Sequence, residues 1–488
     1  MRKRSIFDKI LGYFAPKSAL SREKSRLALE MLGERRFEAA AKSRRTAHWN
    51  SPGTDANSAN SGAIQTLRNR SRDMVRNDGY AARAVSAIVE HTVGTGIVMK
   101  PTGKAKGKVK AAADAWKIWA DSTACDYDGR HDFYGLQALA FRSVVESGEV
   151  LIRRVRTTDA IPLKLQVIEC DYLDHLKNER LDSGGYILQG VEHDRTGARV
   201  AYWLFEQHPG DATVGSAGAS ATSKRFNAVD ILHVYRQDRP GQIRGTPWIA
   251  SVAVTLKDLS DFEDAQLMRQ KVASSWALFI HDTEAPLDPT GSTAPIIDKV
   301  EPGLIEILPP GKDIKFASPP GVDGYSEHVN QLLRRVAAGM GISAAALTGD
   351  LSQVNFSSGR MGWLEMQRNI EAWRWRILVP VLCDRVWGWF TEAAFLGGYQ
   401  LQGVLPVWTP PRREMIDPNS ELTAQVNAIR AGVTTLSEVI RSNGYDPAEV
   451  LSERAEDDAL LDKLSITLDS DPRRIMKSGG LQPNVGGS

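Results

Sequence analysis

Apolar positions recur at spacings of three and four over Tyr325, Val329, Leu332, Leu333, Val336 and Met340. That spacing predicts an amphipathic helix, with Arg334 and Arg335 beside its apolar stripe. Gly341 ends the repeat, as suits a helix C-terminus. Residues 342–360, ISAAALTGDLSQVNFSSGR, are small, polar and Gly/Ser-rich, and read as an exposed mobile loop. From Met361 the helical pattern resumes and carries Trp363, Trp373, Trp375, Trp387, Trp389 and Phe390. Pro380 lies inside this run, lacks a backbone donor and clashes with the preceding turn, so a kink is expected there. The whole stretch predicts a short loop held out from a core between two anchored helices.

Upstream, a helical pattern runs over 63–90 through Leu67, Met74, Val75, Ala82, Val85 and Val89, and VGTGI at 93–97 breaks it. Further helical segments cover 109–120 and 136–145. Beyond Gly148 the period changes to two, and 150–155, 163–168, 185–191, 201–205 and 231–235 read as strands. The first half is thus helices followed by a mostly antiparallel β region, an α+β unit. Residues 210–223, GDATVGSAGASATS, are low-complexity and read as a surface insertion. RGTPW at 244–248 opens the next element, with Thr246 as a cap and Pro247 in the first helical position. The apolar set Ile249, Val252, Leu256, Leu259, Phe262, Met268, Val272 and Trp276 predicts a helix on the order of 45 Å long. Its other face carries Lys257, Asp258, Asp261, Glu263, Asp264, Arg269 and Lys271, a polarity that suits packing against copies of itself. Residues 277–320 hold a short strand, ALFI, and a hairpin-like pair, 304–308 with 314–317, across PPGKD. They make an excursion at the far end of a helical pair. Past Gly398, Asp417 with Pro418, a Thr435/Glu438 capping box, and Asp446 with Pro447 and Glu449 start three helices.

Composition narrows the function classes. A chain of 488 residues exceeds one ordinary core. Its formal net charge of +2 argues against tight gripping of phosphates. Cys125, Cys170 and Cys383 are widely spaced and odd in number, which predicts reduced buried thiols rather than a disulfide framework. No apolar run is long enough to span a bilayer, and Asp8 and Lys9 interrupt the N-terminal apolar patch, so no secretory signal or membrane partner is expected. Basic residues, including Arg2, Lys3, Arg4, Arg35, Arg36, Arg44 and Arg45, mark residues 1–60 as a flexible solvated arm, or one that touches a neighbouring subunit or DNA.

No phosphate loop, HExxH, CxxC or GxSxG occurs. His131, Asp132, Glu146 and Glu149 form the best acid–base cluster, and Asp171, Asp174 and His175 the best mimic of metal ligands; each reads more simply as polar surface. The tryptophans after Met361 have helical spacing beside Ile370, Ile377 and Leu378, which points to core packing rather than base stacking. No catalytic residue, cofactor or metal is expected.

Six segments, in order, carry a resemblance: NRSRDMVRNDGYAARAVSAIVEHTVGTGI, ESGEVLIRR, LQVIECDYLDH, HVYRQDRPGQIRGTPWIASV, LTGDLSQVNFSSGRMG and WTPPRREMIDPNSE. Together they resemble the lambda-type family of tailed-bacteriophage portal proteins, over roughly 69–453. The resemblance implies an α+β portal fold and a ring-shaped homo-oligomer, normally of twelve copies, at one capsid vertex. Double-stranded DNA would be packaged and ejected through its channel without regard to sequence. Implied partners are the large terminase subunit, the major capsid protein and scaffold, and the head-tail connector. The family's parts would fall as a flexible basic arm at 1–60, wing at 61–245, stem helices at 246–276 and 321–341 about a clip at 277–320, a tunnel loop at 342–359, a long kinked wing helix at 360–400, a helical crown at 401–470 and a disordered tail at 471–488. Channel contact would come from Ser352, Gln353, Asn355, Phe356, Ser357, Ser358 and Arg360; Lys257, Asp261, Asp264, Arg269, Arg334 and Arg335 would mark the stem. Another ring-forming connector or tail hub, a hydrolase using His131 and its carboxylates, and a DNA-binding module using the arm are the competing readings.

Overall fold

The computed structural model describes residues 52–211, 222–274, 278–282, 312–316, 324–352, 354–411 and 417–468, with single residues 24, 415 and 471. The chain divides into a unit of Met1–Asp55 and a unit of Ala56–Ser488, and every element named below belongs to the second. Of the proposed arm, residues 56–60 start a short helix, α1 (Ala56–Ser61). It is pinned rather than free: Asn57 Nδ2 donates to Gly241 O at 2.9 Å and its Oδ1 accepts from Ile243 N at 2.9 Å.

The predicted helix over 63–90 is two helices, α2 (Ile64–Asn77) and α3 (Gly79–Thr92). Asp78 divides them, because its carboxylate accepts from Ala81 N at 2.8 Å and so caps a new helix. A strand not foreseen, β1 (Val98–Thr102), follows, then α4 (Lys106–Ala120) and α5 (Phe133–Ser147). Next come β2 (Glu149–Val155), β3 (Lys164–Glu169), β4 (Glu179–Arg180), β5 (Tyr186–Leu188), β6 (Val191–His193), β7 (Arg199–Leu204), β8 (Lys224–Asn227) and β9 (Ile231–Tyr235). The expected strand 185–191 is the β5–β6 hairpin, turned by Gln189 and Gly190, both at positive φ. Two antiparallel sheets result, β3-β2-β9 and the meander β4-β5-β6-β7-β8. Strand β2 is central and buried on both faces. Val150 and Ile152 join the main core, while Leu151 joins a smaller one with Leu173, Val191, Tyr202, Leu204 and Ile231. The smaller core thus draws on both sheets.

The RGTPW segment does not start the long helix. Gly148 (φ +93°) and Gly245 approach so closely that a Cβ on Gly245 would lie 2.1 Å from Gly148 O. This crossing keeps Pro247 extended, and one 3₁₀ turn, Trp248–Ser251, intervenes before helix α6 (Ala253–Ser274). At ~1.5 Å per residue the described helix is roughly 33 Å long. Strand β10 (Leu278–Asp282) pairs antiparallel with β11 (Lys312–Phe316), so ALFI partners the segment after PPGKD. The expected partner of that segment, 304–308, lies outside the described residues.

Helix α7 (Tyr325–Met340) has Leu333, Val336, Ala337 and Met340 on its buried face and ends at Gly341, φ +72°. Its partner is α6. Phe262 stacks on Tyr325 at 5.6 Å, and a Cβ on Gly339 would meet Val252 at 2.3 Å, so the two helices run antiparallel. A short helix, α8 (Ala344–Thr348), then precedes α9 (Phe356–Trp373). The interruption expected at Pro380 is a ten-residue π-helical stretch, Arg374–Cys383, which leads into α10 (Asp384–Leu396). Strand β12 (Leu405–Thr409) returns to pair with β1. Three helices close the chain, α11 (Pro418–Arg430), α12 (Leu436–Ser442) and α13 (Pro447–Lys463). Asp417, Thr435 and Asp446 cap them as expected, although Glu438 turns to Arg441 instead of completing a capping box.

Of the tryptophans after Met361, Trp373, Trp387 and Trp389 are core, Trp363 is half-buried and Trp375 is exposed. Trp116 of α4 meets Trp119, Phe133, Trp387, Phe390 and Trp408 at ring separations of 4.9–6.0 Å. This cluster joins α4, α5, α10 and β12. Cys125, Cys170 and Cys383 are free and buried. Burial pushes the Cys125 and Cys170 thiols up to about 12, which keeps them protonated and unreactive.

Candidate functional site

The segment read as one open loop from 342 to 360 is mostly helix. Ser343 Oγ accepts from Ala346 N at 3.1 Å and starts α8, whose Leu347 is buried and whose Ala346 O accepts from Arg83 Nε of α3 at 3.2 Å. Gly349, at φ +71°, ends it. What remains open is 350–355. There Asp350 Oδ1 accepts from Ser352 N at 2.8 Å, and Leu351 O accepts from Val354 N at 3.0 Å. Asn355 then caps α9: its Oδ1 accepts from Ser358 N at 2.8 Å, and Ser358 Oγ accepts from Asn355 N at 3.1 Å. Phe356, Ser357, Ser358 and Arg360, expected in the loop, therefore sit on the first turns of a capped helix. Gln353 lies outside the described residues.

The turn is less polar than its composition suggested. Leu351 is 64% exposed, Phe356 59% and Met361 67%, beside exposed Ser352, Asn355 and Ser357. Hydrogen bonds from Ser352 hold the Asp350 carboxyl below its usual range, so the tip carries a negative charge. Arg360 stands at the edge; hydrogen bonds from Ser420 hold the Asp417 carboxyl below its usual range, and the field of Arg360 adds a little to this. The exposure of Leu351, Met361 and Asp350 beside this turn was not read from the sequence, where small and polar neighbours masked it. On the helix pair, Lys257 Nζ donates to Asp261 at 2.6 Å, Arg269 is hydrogen-bonded to Gln266 at 3.5 Å, and Asp264, Arg334 and Arg335 are exposed.

The enzyme-like cluster is dispersed. Asp132 caps α5 through Gly135 N, Glu146 pairs with Arg142, and the His131 backbone N–H donates to Asp126. Glu149 is fully buried and binds other partners. Its carboxylate accepts from Arg68 NH2 at 2.9 Å, Arg244 NH2 at 2.6 Å, His233 Nε2 at 2.9 Å and Gly245 N at 2.8 Å. Burial pushes this carboxyl up, but Arg244 and His233 outweigh it and hold it well below the usual carboxylate range. Nearby, Arg72 bonds Ser147 Oγ at 2.9 Å and Asp171 at 2.7 Å, and Arg68 reaches Asp171 at 3.4 Å. Four of the resembling segments thus meet at one buried ionic junction.

Asp171, Asp174 and His175 do not converge; Asp174 accepts from Ser223 Oγ at 2.7 Å. Asp171 lies instead with Glu169 and His208, ligand atoms within 4.8 Å. His208 Nδ1 accepts from Gly210 N at 3.0 Å, and its Nε2 lies 3.0 Å from Glu169. Arg72 lies between the two carboxylates and pairs with both, at 3.5 Å to Glu169 and 2.7 Å to Asp171.

Burial lowers the His233 pKa against the pull of Glu149, so the folded chain holds it neutral while the unfolded chain protonates near pH 6.5. His175 and His193 are depressed in the same direction, also by burial. Stability is therefore expected to fall as pH drops below about 6.5, by up to ~1.4 kcal/mol per pH unit for each such group. Thermal unfolding between pH 7.5 and 5 should show the slope, and His233→Gln should reduce it without abolishing it. A midpoint flat across this range would contradict the neutral assignment.

A family model, the phage portal protein of the lambda family, matches residues 42–374. The chain belongs to the lambda family of phage portal proteins. Relatives agree along the chain. It is 27% identical over 425 residues to a probable portal protein of Halomonas phage phiHAP-1, covering 82% of both chains. It is 22% identical over 464 residues to portal protein B of Escherichia phage lambda, covering 84% of this chain and 86% of that one. A chain in the neck of a native gene transfer agent particle, computed with C12 symmetry, is 15% identical with a TM-score of 0.47, over 83% of this chain and 98% of that one. Among the described residues, no helix of this portal protein is long and apolar enough to cross a membrane.

Proposed function

We infer that this portal protein closes into a ring, normally of twelve copies, at one vertex of the virion, and that double-stranded DNA passes through its centre during packaging and ejection. On this reading α6 and α7 are the stem, the β10–β11 hairpin belongs to the clip that receives the large terminase subunit and then the head-tail connector, and residues 350–355 face the channel. The outer β region contacts capsid protein and scaffold, and the chain acts as a structural part rather than an enzyme. One observation carries the reading: an antiparallel helix pair bears a hairpin at its far end, and a self-capped exposed turn lies next to its near end.

The chemistry of that turn suits sliding. Its tip is anionic and apolar, with one arginine at the edge, so it offers phosphates little to hold. Native mass spectrometry with negative-stain imaging of the full chain tests the ring; a compact dimer with a sealed centre would sink it. For the turn, Leu351→Ser with Phe356→Ser leaves the Asn355–Ser358 cap in place. Rings are expected to form normally and to package or retain less DNA. Loss of assembly in this variant would make the turn a structural contact instead.

A further inference from the structure

Helix α13 has no buried residue, and every side chain from Leu451 to Asp457 is exposed. A helix of this length gains little from its own backbone and needs a packed face to be stable. Its surface is also unbalanced. Arg454 pairs with Asp458, which leaves Glu449, Glu453, Glu456 and Asp457 without an ion-pair partner among the described residues. These four fall at i, i+4, i+7 and i+8, on one face, where like charges oppose the helix unless cations lie against them.

The matching cations stand elsewhere on the chain. A cleft of about 960 Å³ runs between α9 with the start of the π stretch, the end of β12, and α12. Its two carboxylates are engaged within it, Glu371 by Arg374 and Glu438 by Arg441. Arg368 and Arg376 remain exposed and unpaired among the described residues, with Trp375, 48% exposed, on the same face. Arg368 to Arg376 and Glu449 to Asp457 each span eight residues, on the order of 12 Å.

We propose that α13 of one copy lies in the Arg368–Arg376 cleft of the next, so that an acidic row and a basic row on each chain make a head-to-tail contact round the ring. Two different complementary patches are what a cyclic, heterologous interface requires. Leu460 and Leu464, both exposed on α13, add apolar area to it. This contact rests on the ring reading above.

The test is ring stability of the full-length chain against rising salt, followed by mass photometry. Arg368→Glu with Arg376→Glu, and separately Glu453→Lys with Asp457→Lys, should each lower the salt concentration at half-dissociation, by roughly two-fold or more. All four sites are exposed, so circular dichroism should be unchanged; the four changes combined should restore the wild-type midpoint. A closed ring whose midpoint is unmoved by either pair overturns the contact and leaves the ring standing. A wild-type chain that forms no closed oligomer overturns the ring and the contact together. If removing residues 1–51 mimics the lysine pair and the glutamate pair does nothing, the basic arm covers α13 and the contact is wrong. If the glutamate pair weakens only binding of duplex DNA, the cleft is a nucleic-acid surface and the contact is equally wrong.

Discussion

Glutamine in place of Glu149 is expected to cost about 3–5 kcal/mol of folding stability, a large share of what a domain possesses. The side chain keeps its size, so no cavity forms. What is lost is the negative charge that compensates Arg68 and Arg244, both almost wholly buried, in a place that water does not reach. Asp171 still faces Arg68, but Arg244 is left with neutral acceptors alone, the amide oxygen of the new glutamine and the Gln189 carbonyl at 3.0 Å. Urea unfolding followed by tryptophan fluorescence should show the drop. Adding Arg244→Met should recover part of it, because one stranded cation disappears with its need for a partner. If Glu149→Gln unfolds like the parent, the junction contributes nothing to stability and its dense bonding is incidental.

Trp116→Ala is expected to cost a similar amount, about 3–5 kcal/mol, by a different route. Trp116 is the hub of the aromatic cluster, and five rings cannot close over the space it would leave. Its indole N–H makes no well-formed hydrogen bond, with only the Tyr134 hydroxyl to interact with, whereas that of Trp119 donates to Leu163 O at 2.8 Å. Trp116→Phe should therefore cost much less than Trp116→Ala, since the lost ring area is offset by removing an unsatisfied donor. Thermal unfolding of the two variants checks this; equal losses would mean that the indole N–H is satisfied after all.

The parts that were legible from sequence were those with a period. The stripe from Leu333 to Met340, the strands 150–155 and 231–235, and Trp373, Trp387 and Trp389 of the long helix fell where alternation or helical spacing placed them, whereas Trp375 faces solvent. The open turn was misjudged in extent for a specific reason. Ser and Asn are the residue types that favour loops, and they are also the types that cap helices, so Ser343, Asn355 and Ser358 read as loop while building two helix starts. RGTPW misled in the opposite sense: its proline carries a helix-start signal, but the close approach of Gly148 and Gly245 imposes a turn first. The ionic junction had no period to reveal it. The side chains that bind Glu149 are 81 to 95 residues away from it, and Glu149 was read among its sequence neighbours rather than with Arg68, His233 and Arg244.

The π-helical stretch has a consequence for timing along the longest helix of the chain. Ten residues wound at about 3.6 per turn would advance the helix almost three full turns. Wound with i→i+5 bonds they advance it fewer. Helix α10 is therefore clocked round the axis relative to where α9 alone would have carried it. With that offset, Met366 and Ile370 before the stretch and the stacked Trp387 and Phe390 after it all enter the main core. One continuous rod thus feeds the main core from both of its halves, and a single residue removed between Arg374 and Cys383 would set the two ends out of step.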